Sequence, residues 1–165
     1  MSNDVIELDT AGEKVGLSPR HLGERFARSL ARKDAAALKA LMRSDVDFKA
    51  LTPGKFWEAH EVDVVVDDII LGIWFEPERR ITETLAVDED IVGAVGAVGA
   101  VGAVGAVGDE GDVGGVGEVK RVGYRYRIAR PDGEFILEQQ AYYRTDGDRI
   151  EWLRIMCTGF LPIET

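Results

Sequence analysis

The side chains that could do chemistry in this chain are few, and most of them are carboxylates. Glu138 stands between Leu137 and Gln139 in an alternating stretch, an unusual place for a charge on a central strand. It either turns outward and pairs with Arg125 or Arg127, or turns inward as a general base. Asp47 alternates away from Phe48, and Asp45 reads as a turn residue. Asp47 and Glu138 are therefore the candidates for acid–base work.

His60, Asp63 and Asp67 fall at i, i+3 and i+7, the spacing of one helical side, and such a set could hold a divalent metal. On an acidic helix this spacing is common, and a solvated face is the simpler expectation, so no metal site is assigned. His21 reads as a surface residue in the first turn of a helix. Cys157 reads as a small buried residue near a strand end. The chain has no Ser-His-Asp order, no phosphate-binding glycine loop and no CxxC pair, and no cofactor is expected.

Composition narrows the partners. The chain has 165 residues, with 30 acidic and 20 basic side chains and a net charge of -10. Such a protein does not gain from releasing counterions around nucleic acid, so no nucleic-acid partner is expected. Its one basic patch, Arg121, Arg125, Arg127 and Arg130, has the spacing of a strand face and is balanced by Glu134 and Glu138. A single cysteine excludes an intrachain disulfide and suits a reducing cytoplasm. Met1 to Asp9 is polar and acidic, unlike a signal peptide. The uncharged run Ile91 to Gly108 is too weakly apolar and too acidically flanked to span a membrane, so no membrane partner is expected either.

These residues must be positioned by an α+β domain. Residues 1–17 read as a flexible tail, and Ser18-Pro19 as a helix start. Leu22, Phe26 and Leu30 make the buried face of that first helix. Asp34 caps a second, with Leu38, Leu41 and Met42 inward, and a short strand follows at Val46 and Phe48. After the turn Thr52-Pro53-Gly54, a third helix is expected within Lys55 to Leu71, with Val62, Val65, Val66, Ile69 and Ile73 inward and Gly72 as its stop. The period then changes to two. Long antiparallel strands are expected from Ile81 and Val122 onward, with turns at Pro131-Asp132-Gly133 and Asp146-Gly147-Asp148.

The chain has 19 glycines, and many sit in one place: from Val92 to Gly108 it reads VGAVGAVGAVGAVGAVG. A three-residue period fits neither an amphipathic helix nor a half-buried strand. With its acidic, glycine-rich continuation it reads as an insert over 92–118, either a flexible repeat loop or a self-associating segment. Residues 18–162 then form one domain.

The segment FARSLARKDAAALKALMRSDVDFKALTPGKFWEA near the front, with EQQAYYRTDGDRIEWLRIMCTGF at the back, resembles the nuclear-transport-factor-2-like superfamily, which includes SnoaL-like cyclases and ketosteroid isomerases. The resemblance implies a cone: a curved antiparallel sheet packed on three N-terminal helices, with an apolar pocket at the open end. It also implies a homodimer through the outer sheet face. Members of the isomerase type carry a tyrosine and two aspartates at positions that here match Phe26, Ala50 or Leu51, and Gln139. That catalytic set is absent.

Candidates for the pocket wall are Phe26, Leu30, Phe56, Trp57, Trp74, Leu137, Gln139, Tyr143 and Met156. Two readings follow. Either the cone binds a small apolar or aromatic molecule, with any chemistry limited to acid–base steps of an isomerase, cyclase or hydratase kind, or these side chains fill it and the domain is a non-catalytic interaction module.

Overall fold

A computed structural model describes residues 21–94 and 118–164. The expected tail over 1–17, the Ser18-Pro19 helix start and nearly all of the repeat insert lie outside them. Helices α1 (Leu22–Ala31) and α2 (Ala35–Ala40) come first, followed by strands β1 (Met42–Thr52) and β2 (Lys55–Ala59) and helix α3 (Val64–Trp74). Strands β3 (Arg80–Ala94), β4 (Glu118–Arg130), β5 (Gly133–Asp146), β6 (Arg149–Cys157) and the two-residue β7 (Leu161–Pro162) complete the chain. Among the described residues no helix is long and apolar enough to cross a membrane.

The strands form one sheet in the order β2-β1-β6-β5-β4-β3, with β7 added beside β5. It is mixed rather than purely antiparallel, because β1 runs parallel to β6. Hairpin turns impose antiparallel neighbours, whereas these two strands are joined only through most of the domain. Register shifts in the β1–β6, β3–β4 and β5–β6 pairs bend the strands into a cone. Inside lie Phe26, Leu30, Phe48, Phe75, Tyr124, Tyr126 and Tyr143, all almost fully buried.

Three sequence expectations are corrected. Lys55–Ala59 is a strand, because the Pro53-Gly54 turn folds it back onto β1, pairing Leu51 with Phe56 and Ala50 with Trp57. The strand before that turn is long, eleven residues, and not short. The repeat begins inside the sheet: Gly93 pairs with Val119 and Ala94 with Glu118, so the ends of the expected insert belong to β3 and β4.

Helix α3 differs most. It is wound as a π-helix over eleven residues, with Phe75 donating to the carbonyl of Ile70, five residues back. This wide winding groups Val65, Val66, Ile69, Ile70 and Trp74 on the buried side and turns Ile73 out, 47% exposed. An α-helical period had put Ile73 inside. Gly72 is not the stop but an interior residue, where an added Cβ would sit 2.5 Å from the carbonyl oxygen of Asp67. In an ordinary helix Gly→Ala gains about 1 kcal/mol. Here Gly72→Ala should lower the melting temperature, and a rise in thermal denaturation would contradict the π winding.

Helix α1 is fixed by groups from the sheet. Glu89 of β3 accepts from the backbone N–H of Gly23 (3.1 Å) and Glu24 (3.0 Å), putting a carboxylate at the helix N-terminus. Tyr143 also donates its hydroxyl to Glu89, and Gly23 donates to that hydroxyl at 3.0 Å. This close approach needs a glycine, since a Cβ at 23 would meet Glu89 and Val122 at 2.8 Å. Further along, the Tyr126 hydroxyl donates to the carbonyl of Ala27.

Candidate functional site

The cone is filled at its deep end and open at the other. A cavity of about 350 Å³ remains at the open end, between the β1–β2 hairpin, the last turn of α3 and the ends of β4, β5 and β6. A larger depression of about 510 Å³ between Lys33 and Arg80 is an open surface groove outside the cone. Lys33 there donates to the carbonyls of Glu76 (3.0 Å) and Arg79 (2.7 Å), tying α1 to the loop after α3.

Each wall of the cavity follows from local sequence. Trp57 faces inward from β2, with its indole N–H on the Thr52 hydroxyl at 2.8 Å, and meets Trp74 edge-on at 5.9 Å. Trp74 in turn packs against Phe48 at 6.0 Å. Leu137 and Gln139 are inward positions of β5, opposite Tyr126 and Tyr124 on β4. Cys157 closes β6 opposite Gln139, and Phe160 follows it.

The charged lining is two arginines. Arg79 donates through Nη1 to the carbonyls of Ile73 (2.8 Å) and Trp74 (3.0 Å), capping α3, and its Nε lies 3.5 Å from Glu76. Arg130 ends β4 just before the Pro131-Asp132 turn and grips the Asp132 carboxylate through Nε (3.0 Å) and Nη2 (2.9 Å). The Phe160 ring lies under both guanidinium groups, 4.8 Å from Arg79 and 5.2 Å from Arg130.

Two polar groups in this wall are unsatisfied. Gln139, 1% exposed, accepts from the Tyr124 hydroxyl at 2.7 Å, but its amide nitrogen has no oxygen or nitrogen partner. The indole N–H of Trp74, 5% exposed, makes none either. A buried donor left without an acceptor costs about 1–3 kcal/mol. The polar group beside the Gln139 amide is the Cys157 thiol, a weak acceptor. Burial pushes that thiol's pKa up, against smaller opposing effects of Gln139 and the Gly159 N–H, so it is protonated at neutral pH.

Of the residues named from sequence, Trp57, Trp74, Leu137 and Gln139 meet at this cavity. Phe26, Leu30 and Tyr143 do not: they are packed into the filled depth of the cone, against α1 and the tyrosines of β4 and β5. Phe56 and Met156 do not either. They are 54% and 49% exposed on the outer sheet face, because β2 and β6 alternate and Trp57 and Ile155 take the inward positions.

Both carboxylate candidates also lie outside the cavity. Asp47 is held by Arg154, through its carbonyl (2.8 Å) and its carboxylate (3.4 Å). Glu138 takes Arg125 at 2.8 Å and Gln140 at 2.7 Å on the outer face. His60, Asp63 and Asp67 do not converge, since Lys39 binds both aspartates (3.2 and 2.6 Å) while His60 leans toward Glu58.

Sequence reasoning missed Thr52, Ile73, Arg79, Arg130 and Phe160 as wall residues, and treated Cys157 only as core. The turn Pro131-Asp132-Gly133 does place Arg130 at a strand end, where it could have been found. Nothing local marks Arg79.

Cys157 gives a direct check on this geometry. Its alkylation by iodoacetamide at pH 8 should be several-fold slower than that of a free thiol, with an apparent pKa above the ordinary value of about 8.5. A rate equal to that of a model thiol would contradict the burial described.

No family model matches the chain, and no curated protein does. Solved structures do match. A proposed isomerase from Bacillus subtilis superposes with a TM-score of 0.56 at 9% identity, over 86% of this chain and 89% of the other. A proposed isomerase from Rhodopseudomonas palustris gives 0.52 at 13% identity, over 83% and 89%. An NTF2-like protein from Burkholderia thailandensis gives 0.50 at 12% identity, over 85% and 90%.

Proposed function

We propose that this chain, whose fold is the nuclear-transport-factor-2-like cone, binds a small apolar or aromatic molecule in the open-end cavity. The observation that supports this most is the cavity itself: about 350 Å³, walled by Trp57, Trp74, Leu137 and Phe160, with unsatisfied donors at Gln139 and Trp74. Mainly apolar walls with a few placed polar groups are the usual form of a small-molecule site. Acid–base chemistry of an isomerase kind needs a proton acceptor near the substrate. Among the described residues the lining contains no carboxylate or imidazole, and its thiol is protonated. Binding without turnover is the reading these side chains favour.

A neutral aromatic ligand such as 2-naphthamide should raise the melting temperature by several degrees at about 100 times its Kd, and should alter tryptophan emission. Trp57→Ala should lose most of that shift relative to its own unliganded melt. No shift in the wild type across a panel of such ligands, or equal shifts in both proteins, would refute the reading.

The outer sheet face supports a second proposal, a homodimer. Leu51 is the neighbour of Phe56 on β2 and of Met156 on β6, and the three are 52%, 54% and 49% exposed. They form an apolar row beside the ion pairs of Arg125 and Glu138. Leu51→Glu should shift a dimer to monomer in sedimentation equilibrium without lowering ligand affinity. A wild-type chain that stays monomeric at high micromolar concentration would overturn this.

A further inference from the structure

The lining of the open-end cavity has one sign of charge and one sense of hydrogen bonding. Among the described residues its charged members are Arg79 and Arg130, with no aspartate or glutamate. Glu76 and Asp132, which partner the arginines, line a separate groove on the far side of the guanidinium pair, together with Glu78. Arg79 Nη2 and Arg130 Nη1 make no hydrogen bond among the described residues.

The neutral polar groups point the same way. Gln139 is buried, its oxygen already accepts from Tyr124, and its N–H₂ has no oxygen or nitrogen partner. Trp74 can only donate. The Thr52 hydroxyl already accepts from Trp57. The buried side-chain groups of this wall that lack an oxygen or nitrogen partner are therefore both donors.

Resting on the reading of this cavity as a ligand site, we propose that its occupant is an anion: a small aromatic or apolar carboxylic acid, bound as the carboxylate. A carboxylate presents two oxygens with about four acceptor sites, and its charge suits guanidinium partners. A neutral ketone or amide brings one strong acceptor and no charge. An organic cation meets the two arginines first, because their carboxylate partners line the next groove. Bare phosphate leaves Trp57, Trp74, Leu137 and Phe160 uncovered, whereas one or two rings fill such a space and cover these walls.

The test is a calorimetric titration with three ligands of one shape: naphthalene-2-carboxylate, 2-naphthamide and 2-naphthylmethylammonium. The carboxylate should bind the wild-type protein at least about tenfold more tightly than the amide, as charge-assisted bonds exceed neutral ones. The ammonium should bind most weakly. Raising salt from 50 to 500 mM should weaken the carboxylate alone. Arg130→Gln should bring the affinities of acid and amide to within about twofold of each other. The ligand series and the salt series stand on the wild-type protein if that variant is unstable. Equal binding of acid and amide, or preference for the ammonium, overturns the anion proposal and leaves the pocket standing. Binding of none of the three overturns both.

Discussion

The attachment of α1 to the curved sheet through buried hydroxyls is the constraint on which the remaining geometry depends. Tyr126 reaches the carbonyl of Ala27, and Tyr143 with Glu89 holds the backbone at Gly23 and Glu24. These contacts join residues far apart in the chain and fix both the depth and the angle of the helix. A buried phenol needs a partner, because leaving it without one costs the desolvation of its hydroxyl. Burial raises the pKa of Tyr124, Tyr126 and Tyr143, so all three remain protonated donors. With α1 seated this way, Phe26 packs on Tyr124 at 6.1 Å and the deep end of the cone is solid.

The cavity is what this filling leaves over. It survives only where α3 ends, where the β1–β2 hairpin turns away and where β6 passes into β7. The π winding matters here, since it carries Trp74 inward and Ile73 to the rim. Tyr124 also acts at a distance: its hydroxyl donates to the Gln139 oxygen and so fixes the orientation of that amide. The outer face is built differently. Arg121 pairs with Asp88 and Asp90, Arg125 with Glu138, and Arg127 with Glu83 and Glu134. The basic patch is thus neutralised in place, and such exposed pairs contribute little each to stability. The arginines of the cavity are set apart from this ladder by their stacking on Phe160.

Much of the architecture is legible in the sequence. Asp34 caps α2 through the N–H of Ala37 at 3.0 Å, and the two glycine turns bound β5 where expected. Period-two alternation marks the strands themselves, and a single register then puts Tyr124, Tyr126, Leu137 and Gln139 on the inner face together. What failed was information that is not local. A 3.6-residue period cannot reveal a π-helix, so Ile73 and Gly72 were misplaced. The parallel β1–β6 pair follows from topology and not from any turn. Phe56 and Met156 were assigned to the pocket by hydrophobicity alone, and strand alternation sends them outward. Arg79 reaches the site from a loop whose position is set by Lys33, a contact with no signature in the sequence.

The unpartnered donors of Gln139 and Trp74 are the proposed polar floor of the ligand site, in a cone that is otherwise paired and packed. The most direct measurement is nitrogen-15 NMR of the side-chain N–H groups during titration with an aromatic carboxylate. Ligand bound at these donors should move the Trp74 indole and Gln139 amide signals downfield together, to saturation. The indole of Trp152, stacked between Arg144 and Arg154 on the outer face, should stay in place. Saturating ligand that shifts Trp152 while leaving Trp74 and Gln139 unmoved would contradict it.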